Sequence, residues 1–259
     1  MKVVFVHGAL VFDGAWWWER MVEPLAALGM ATRAVELPSC VPAPGASGEA
    51  TGDMYADADA VRAALGEEDG PVVLVGHSFG GMIITDAAAG QENVRHLVYV
   101  TSVMPERGET MASFGGSELG PWMDSREEDG TMGIKAELAP KAFMQDCDEA
   151  TIDEALKRLT RQPLAAFGQV RAPSRGGRSP RPTSCVQRTG RRLPRRSAGT
   201  RGGRIAWWSC RPGTTRCSRG QNCWPGCSPK RPTISPPTTQ TMVLRSAIKA
   251  LPREEEDYG

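Results

Sequence analysis

The segment Pro71–Gly90, PVVLVGHSFGGMIITDAAAG, leaves the chain few folds to choose from. Val72 to Val75 form an apolar run rich in β-branched residues, closed by Gly76, and a second apolar run opens at Gly80. A strand without polar alternation must be covered on both faces, the condition of a parallel sheet lying between helix layers. Only His77, Ser78 and Phe79 separate the strand from the helix. So tight a turn has no room for side chains at its flanks, which accounts for Gly76 and Gly80 and puts Ser78 at the apex. G-x-S-x-G in a strand–turn–helix setting is the arrangement that lifts a serine hydroxyl above the sheet edge as a nucleophile. A glycine-rich connection without chemistry is the bland alternative, and the setting disfavours it.

The same alternation runs through the first hundred residues. KVVFVHG (2–8) and TRAVELP (32–38) have strand character, as does HLVYVTS (96–102). WWWERMVEPLAALG predicts a helix with Trp18, Met21, Leu25 and Leu28 on one face and Gly29 as its C-cap. YADADAVRAALG predicts another, with Ala58, Val61 and Leu65 inward. Strands alternating with helices imply right-handed crossovers and a doubly wound, mostly parallel α/β sheet. From Met104 the alternation stops. ASFGGSELGPWMDSREEDGTMG is loop-like, and DEATIDEALKRLTRQP predicts a helix capped by Asp148 and stopped by Pro163, with Ile152, Ala155, Leu156 and Leu159 inward. The expected organisation is a core from 1 to 103, a small helical cap inserted from 104 to 169, and a remainder from 170 to 259.

Ser78 is the candidate nucleophile. The N–H of Phe79, at the helix N-terminus, is a candidate donor to a developing oxyanion. His7-Gly8-Ala9 ends the first strand, where a second donor belongs, and the N–H of Ala9 is the candidate. His7 is expected to brace its own loop, and Trp18 to pack in the core, with Trp16 and Trp17 nearer the pocket. Leu10, Phe79 and Trp122 are candidate apolar walls, suggesting a small or medium substrate.

FVHGALVFDGAWWWERMVEPLAALG, VVLVGHSFGGM and HLVYVTSVMPERGETM together resemble the α/β-hydrolase superfamily. The resemblance is to its small capped branch of bacterial carboxylesterases, plant methyl-ester esterases and hydroxynitrile lyases, and it extends from Met1 to about Gln169. It implies an α/β-hydrolase fold and a carboxylic-ester hydrolase that needs no cofactor or metal. It also implies a triad in chain order Ser, acid, His, with the last two near the C-terminus. Hydroxynitrile lyase, perhydrolase and C–C hydrolase chemistry run on the same scaffold, as does silent ligand binding.

Here the chain departs from the pattern, because no histidine follows His96. His77, as an elbow residue, is expected to point away from Ser78, and His96 begins the fourth strand at the far end of the sheet. The expected catalytic acid and histidine are therefore not residues of this chain. Without a base a serine hydroxyl is a weak nucleophile.

The composition changes where the triad should be completed. Between Ala172 and Thr233 there are fourteen arginines and Lys230 but no Asp or Glu. Taking those fifteen from the thirty-one basic residues leaves sixteen, against thirty acidic ones elsewhere. Cys185, Cys210, Cys217, Cys223 and Cys227, five of the seven cysteines, fall in the same stretch. This is the signature of a GC-rich gene read out of frame, and the genetic code tests it. Taking each third base with the next two, Asn222-Cys223-Trp224-Pro225 forces Leu-Leu-Ala whatever codons are used. Gly213 to Cys217 then permits His-His-Pro-Met, and Pro182 to Arg191 permits a strand followed by an acidic turn. Under this one-base shift, starting between Gln169 and about Pro180, the acid lies beneath Arg188–Thr189 and the histidine beneath Gly213–Thr214. The fourth strand is then expected to be an uncovered edge.

Other readings of the tail are weaker. RGGR at 175–178 and 201–204 has no continuing aromatic or glycine repeat, so nucleic-acid binding is not expected. The tail cysteines form no C-x-x-C pair and have no histidine, which argues against zinc. MKVVFVHG enters strand character after one charge, so no leader is expected and the cytoplasm is the default location. No apolar run approaches the ~20 residues that span a bilayer. The oligomeric state has no signature in the sequence.

Overall fold

The computed structural model describes residues 1–40, 52–114, 120–170 and 182–186. Its centre is a parallel sheet of β1 (Lys2–Val6), β2 (Ala31–Val35), β3 (Val72–His77), β4 (Val94–Val100) and a last strand at Pro182–Val186. The spatial order is β2-β1-β3-β4 and then that last strand. Between the strands run α1 (Gly14–Ala26), α2 (Met54–Gly66) and α3 (Gly80–Ala87).

The apolar runs divide by parity, as a pleated strand demands. Val4, Val6, Val72, Leu74, Leu97 and Tyr99 pack with the inner faces of α2 and α3. Val3, Phe5, Val73, Val75, Val98 and Val100 pack with Trp18, Met21 and Leu25 of α1. Trp18 stacks on Phe5 at 4.4 Å between ring centroids, so it is a core residue. α1 ends as its glycine requires: Gly29 has φ +74°, and the Met30 N–H donates to Leu25 O at 3.0 Å.

The segment from 104 to 170 differs from its expectation. It contains α4 (Met111–Phe114), α5 (Ala139–Phe143), α6 (Glu149–Leu156) and α7 (Ala165–Gly168), but also a three-stranded antiparallel sheet. That sheet consists of β5 (Met123–Arg126), β6 (Thr131–Ile134) and β7 (Gln162–Pro163). The segment is thus not helical alone. Asp129-Gly130 makes the hairpin: Gly130 has φ +63°, and the Asp129 carboxylate accepts from the Thr131 N–H at 2.9 Å. α6 starts at its expected cap, with Asp148 Oδ1 accepting from Thr151 N at 2.7 Å, but stops at Leu156, short of Pro163. The chain leaves the helix there because its backbone pairs with the loop after β1. Phe12 N donates to Arg158 O at 3.1 Å and Thr160 N to Leu10 O at 2.9 Å, around a bridge between Val11 and Leu159.

The expectation that β4 is an uncovered edge is also corrected. The strand β8 (Pro182–Val186) pairs with β4 in parallel, matching Leu97 to Pro182 and Val100 to Val186. The remaining tail, including the positions overlying the expected acid and histidine, lies outside the described residues. Among the described residues, no helix is long and apolar enough to cross a membrane.

Candidate active site

The site is assembled at the carboxyl ends of β1, β3 and β4, where a parallel sheet presents the loops between strand and helix. Ser78 has φ 51°, in the left-handed region that non-glycine residues rarely enter. Three contacts fix it there: its N–H donates to Val100 O at 3.2 Å, and its carbonyl accepts from Ser102 Oγ at 2.5 Å and from Gly81 N at 3.1 Å. The flanking glycines are sterically required. A Cβ on Gly76 would lie 2.6 Å from Gly80 O, and one on Gly80 would lie 2.7 Å from His7 O and 2.8 Å from Val6 O. α3 therefore begins with its backbone against β1, and its eight residues are all buried.

The His7-Gly8-Ala9 loop lies beside this turn. A Cβ on Gly8 would sit 3.3 Å from Ser78 Cβ and 3.0 Å from His77 Nδ1, so the His77 ring packs over Gly8. Among the described residues, neither the Ala9 N–H nor the Phe79 N–H meets an acceptor. The Phe79 side chain is buried and meets the Phe167 ring at 5.3 Å, bringing α7 over the elbow. Trp122 stacks edge-on with Phe143 at 4.8 Å. Trp17 donates from Nε1 to Phe12 O at 2.9 Å, Trp16 lies under the Arg158 guanidinium at 4.5 Å, and both rings pack against the cluster of Ala139, Met144 and Ala155, joining α1 to the 104–170 segment.

None of the three histidines is bonded to Ser78 among the described residues. His7 is buried and donates from Nδ1 to Gly8 O at 2.8 Å, bracing its loop as expected. Burial lowers its pKa, against smaller opposing effects of the Gly8 carbonyl and Glu36. Burial, and secondarily the neighbouring His7, push His77 down to about 4, so its ring is neutral at neutral pH. His96 pairs with Val73, four residues before the end of β4, or roughly 13 Å of strand.

A buried polar chain beside the β1 loop escaped the sequence reading. Asp57, on α2, accepts from Ser39 N at 2.8 Å and from Ser39 Oγ at 2.6 Å. Gln162 Nε2 donates to Ser39 Oγ at 2.6 Å, and Gln162 Oε1 accepts from Leu10 N at 3.2 Å. Asp57, Ser39 and Gln162 are each 0% exposed. One signal was visible: Asp57 shares the inner helical stripe with Met54, Val61 and Leu65, where a carboxylate needs partners. Nothing in the sequence marks Gln162.

Desolvation raises the Asp57 pKa to about 6, more than its bonds to Ser39 lower it. The folded state therefore binds the proton more tightly than the unfolded chain. The group's stabilising contribution is complete below about pH 4 and fades as pH rises through 6. Relative to Asp57→Asn, the unsubstituted chain is expected to gain about 2–3 kcal/mol on going from pH 7 to pH 4. Paired denaturant titrations at the two pH values measure this. A difference that stays constant, or shrinks on acidification, contradicts the assigned direction.

The comparisons with known proteins agree with this architecture. The model of the alpha/beta hydrolase family matches residues 3–221. A carbendazim-hydrolyzing esterase from Nocardioides sp. (strain SG-4G) is 33% identical over 123 residues, covering 46% of this chain and 48% of that protein. The chain thus spans about half the length of the curated relative it matches. Among solved structures, a pyrethroid hydrolase from Sphingobium faniae JZ-2 superposes with a TM-score of 0.57 at 24% identity, covering 66% of this chain and 71% of its own. A methylesterase from Arabidopsis gives 0.53 at 22%, covering 68% and 72%. With the family model spanning most of the chain, the layered parallel sheet and the tight turn at Ser78 have a common explanation: the chain belongs to the alpha/beta hydrolase family.

Proposed function

We propose that this protein is built as an esterase-type hydrolase for small carboxylic esters, with Ser78 as its nucleophile. The observation that carries the reading is the left-handed backbone of Ser78 between glycines that cannot hold a side chain. Strain of about 1–3 kcal/mol in a non-glycine residue persists where the surrounding structure over-determines it, and such residues cluster at reactive sites. In the reaction the Ser78 oxygen attacks the ester carbonyl, and the N–H groups of Ala9 and Phe79 hold the oxygen that becomes negative. Donors already aimed at that charge need no reorganisation as the barrier is crossed. The 104–170 segment acts as a cap, with Phe167 and the buried Leu10 contributing apolar cover. The esterase and methylesterase relatives support the ester substrate class.

The missing part is the base. His7 is tied to the Gly8 carbonyl and the His77 ring packs against Gly8; neither is hydrogen-bonded to Ser78 among the described residues, so neither is placed to take its proton. We assign the base and its carboxylate partner to the shifted frame, beneath Gly213–Thr214 and Arg188–Thr189. The chain as it stands then keeps its nucleophile and oxyanion donors but turns over slowly. A fluorophosphonate probe tests the nucleophile, because at pH 9 hydroxide can replace the base over hours. The expected result is one adduct, mapped to the peptide holding Ser78 and absent from Ser78→Ala. An adduct elsewhere, or none, sinks the assignment.

A further inference from the structure

The β1 loop contains a second strained residue whose restraint comes from far along the chain. Leu10, adjacent to Ala9, has φ 64° and is 2% exposed. A left-handed leucine is not held by its own preference, since its Cβ crowds the backbone there. Both of its backbone polar atoms are instead taken by residues of the cap segment. Its N–H donates to Gln162 Oε1 at 3.2 Å, and its carbonyl accepts from Thr160 N at 2.9 Å. The conformation of the residue next to the proposed oxyanion donor is therefore set some 150 residues away, within the cap.

Donor and acceptor bookkeeping fixes which way Gln162 faces. An ionised Asp57 can only accept, so the single Ser39 hydroxyl proton points to Oδ2, at 2.6 Å. The Ser39 oxygen is then an acceptor towards Gln162, which must present its NH₂ group there, also at 2.6 Å. The other end of the amide, Oε1, is left facing the Leu10 N–H. A carboxylate on α2 thus orients the amide on β7, which in turn holds the loop after β1.

We infer that Gln162, oriented by Ser39 and Asp57, is a positioning residue that holds Leu10 in its left-handed conformation and thereby aims the Ala9 N–H at the developing oxyanion. The inference rests on the reading of Ser78, Ala9 and Phe79 given above. It makes the cap a part of the oxyanion site as well as a cover for substrate.

The test is the rate of Ser78 phosphonylation in the full chain at pH 9. There the serine oxygen bonds phosphorus, fluoride leaves and hydroxide takes the proton, while the phosphonyl oxygen occupies the oxyanion position. Gln162→Met keeps the side-chain length and removes both hydrogen bonds. It is expected to lower the limiting labelling rate about 10- to 100-fold, with the half-saturating probe concentration nearly unchanged. Arg161→Met breaks the neighbouring contacts to Asp124 and Thr131 and is expected to leave the rate as it was. If Gln162→Met does not fold, Ser39→Ala replaces it, with a fall in the limiting rate expected from loss of the amide's orientation. A limiting rate unchanged in the folded variant overturns the inference while leaving Ser78 as nucleophile. An equal fall in Arg161→Met also overturns it, by showing a general loosening of the cap. Absence of any Ser78 adduct in the unsubstituted chain overturns the reading beneath it.

Discussion

A gene shifted back by one base between the codons for Gln169 and Pro180 is expected to yield a protein that hydrolyses p-nitrophenyl esters about 10⁶-fold faster than the present chain. That factor is the turnover lost when the histidine alone is removed from a comparable serine triad. The physical reason is the serine proton: an unassisted hydroxyl is a poor nucleophile at neutral pH, and oxyanion donors do not remedy that. The rate gained in the restored protein is expected to vanish with Ser78→Ala. It should also follow a pH profile with one limb near 7, where a histidine loses its proton. Rates within tenfold of each other for the two proteins would remove the shifted frame from the explanation. So would a restored protein whose activity survives Ser78→Ala.

The largest structural effect is expected at the elbow. The β-carbon of Gly80→Ala meets the carbonyl oxygens of His7 and Val6 at 2.7 and 2.8 Å, where β1 ends, and Val6 cannot retreat because it is paired on both sides, to β2 and β3. Overpacking against immobile backbone typically costs 1–3 kcal/mol and occasionally more, and about 3 kcal/mol is expected here. Ser78 labelling is expected to be lost in whatever fraction still folds, because separating α3 from β1 moves the Phe79 N–H. Gly66→Ala is the control. Nothing lies within 4 Å of its added carbon at the end of α2, so a gain of up to about 1 kcal/mol is expected. Denaturant midpoints of the two variants read the contrast directly. Similar midpoints would mean that the close approach of α3 to β1 is not a feature of the folded protein.

Much of the fold was legible because its signals are local. Val3 to Val6 and Val72 to Val75 announce strands buried on both faces, and the division of their side chains between two helix layers follows from the two-residue pleat. Gly76 and Gly80 announced a turn whose reason, contact with Gly80 and β1 carbonyls, is steric. The β5–β6 hairpin was legible in principle through Asp129-Gly130, but the polar residues around it made the stretch resemble a loop. The early end of α6 was not legible. Leu159 continues the helical stripe, and only the backbone partners offered by Leu10 to Phe12 draw residues 158–160 out of the helix.

The sequence by itself determined the layered sheet, the tight turn carrying Ser78, the absence of a histidine beyond His96, and the break in composition after Gln169. These depend on neighbouring residues and on chain order. Tertiary structure alone decided the strained Leu10, the alignment of Gln162 with Ser39 and Asp57, and the strand that pairs with β4. Each requires groups far apart in sequence to meet. A buried amide or hydroxyl has no periodic pattern of its own, because its position is set by the partner whose hydrogen bond it must satisfy.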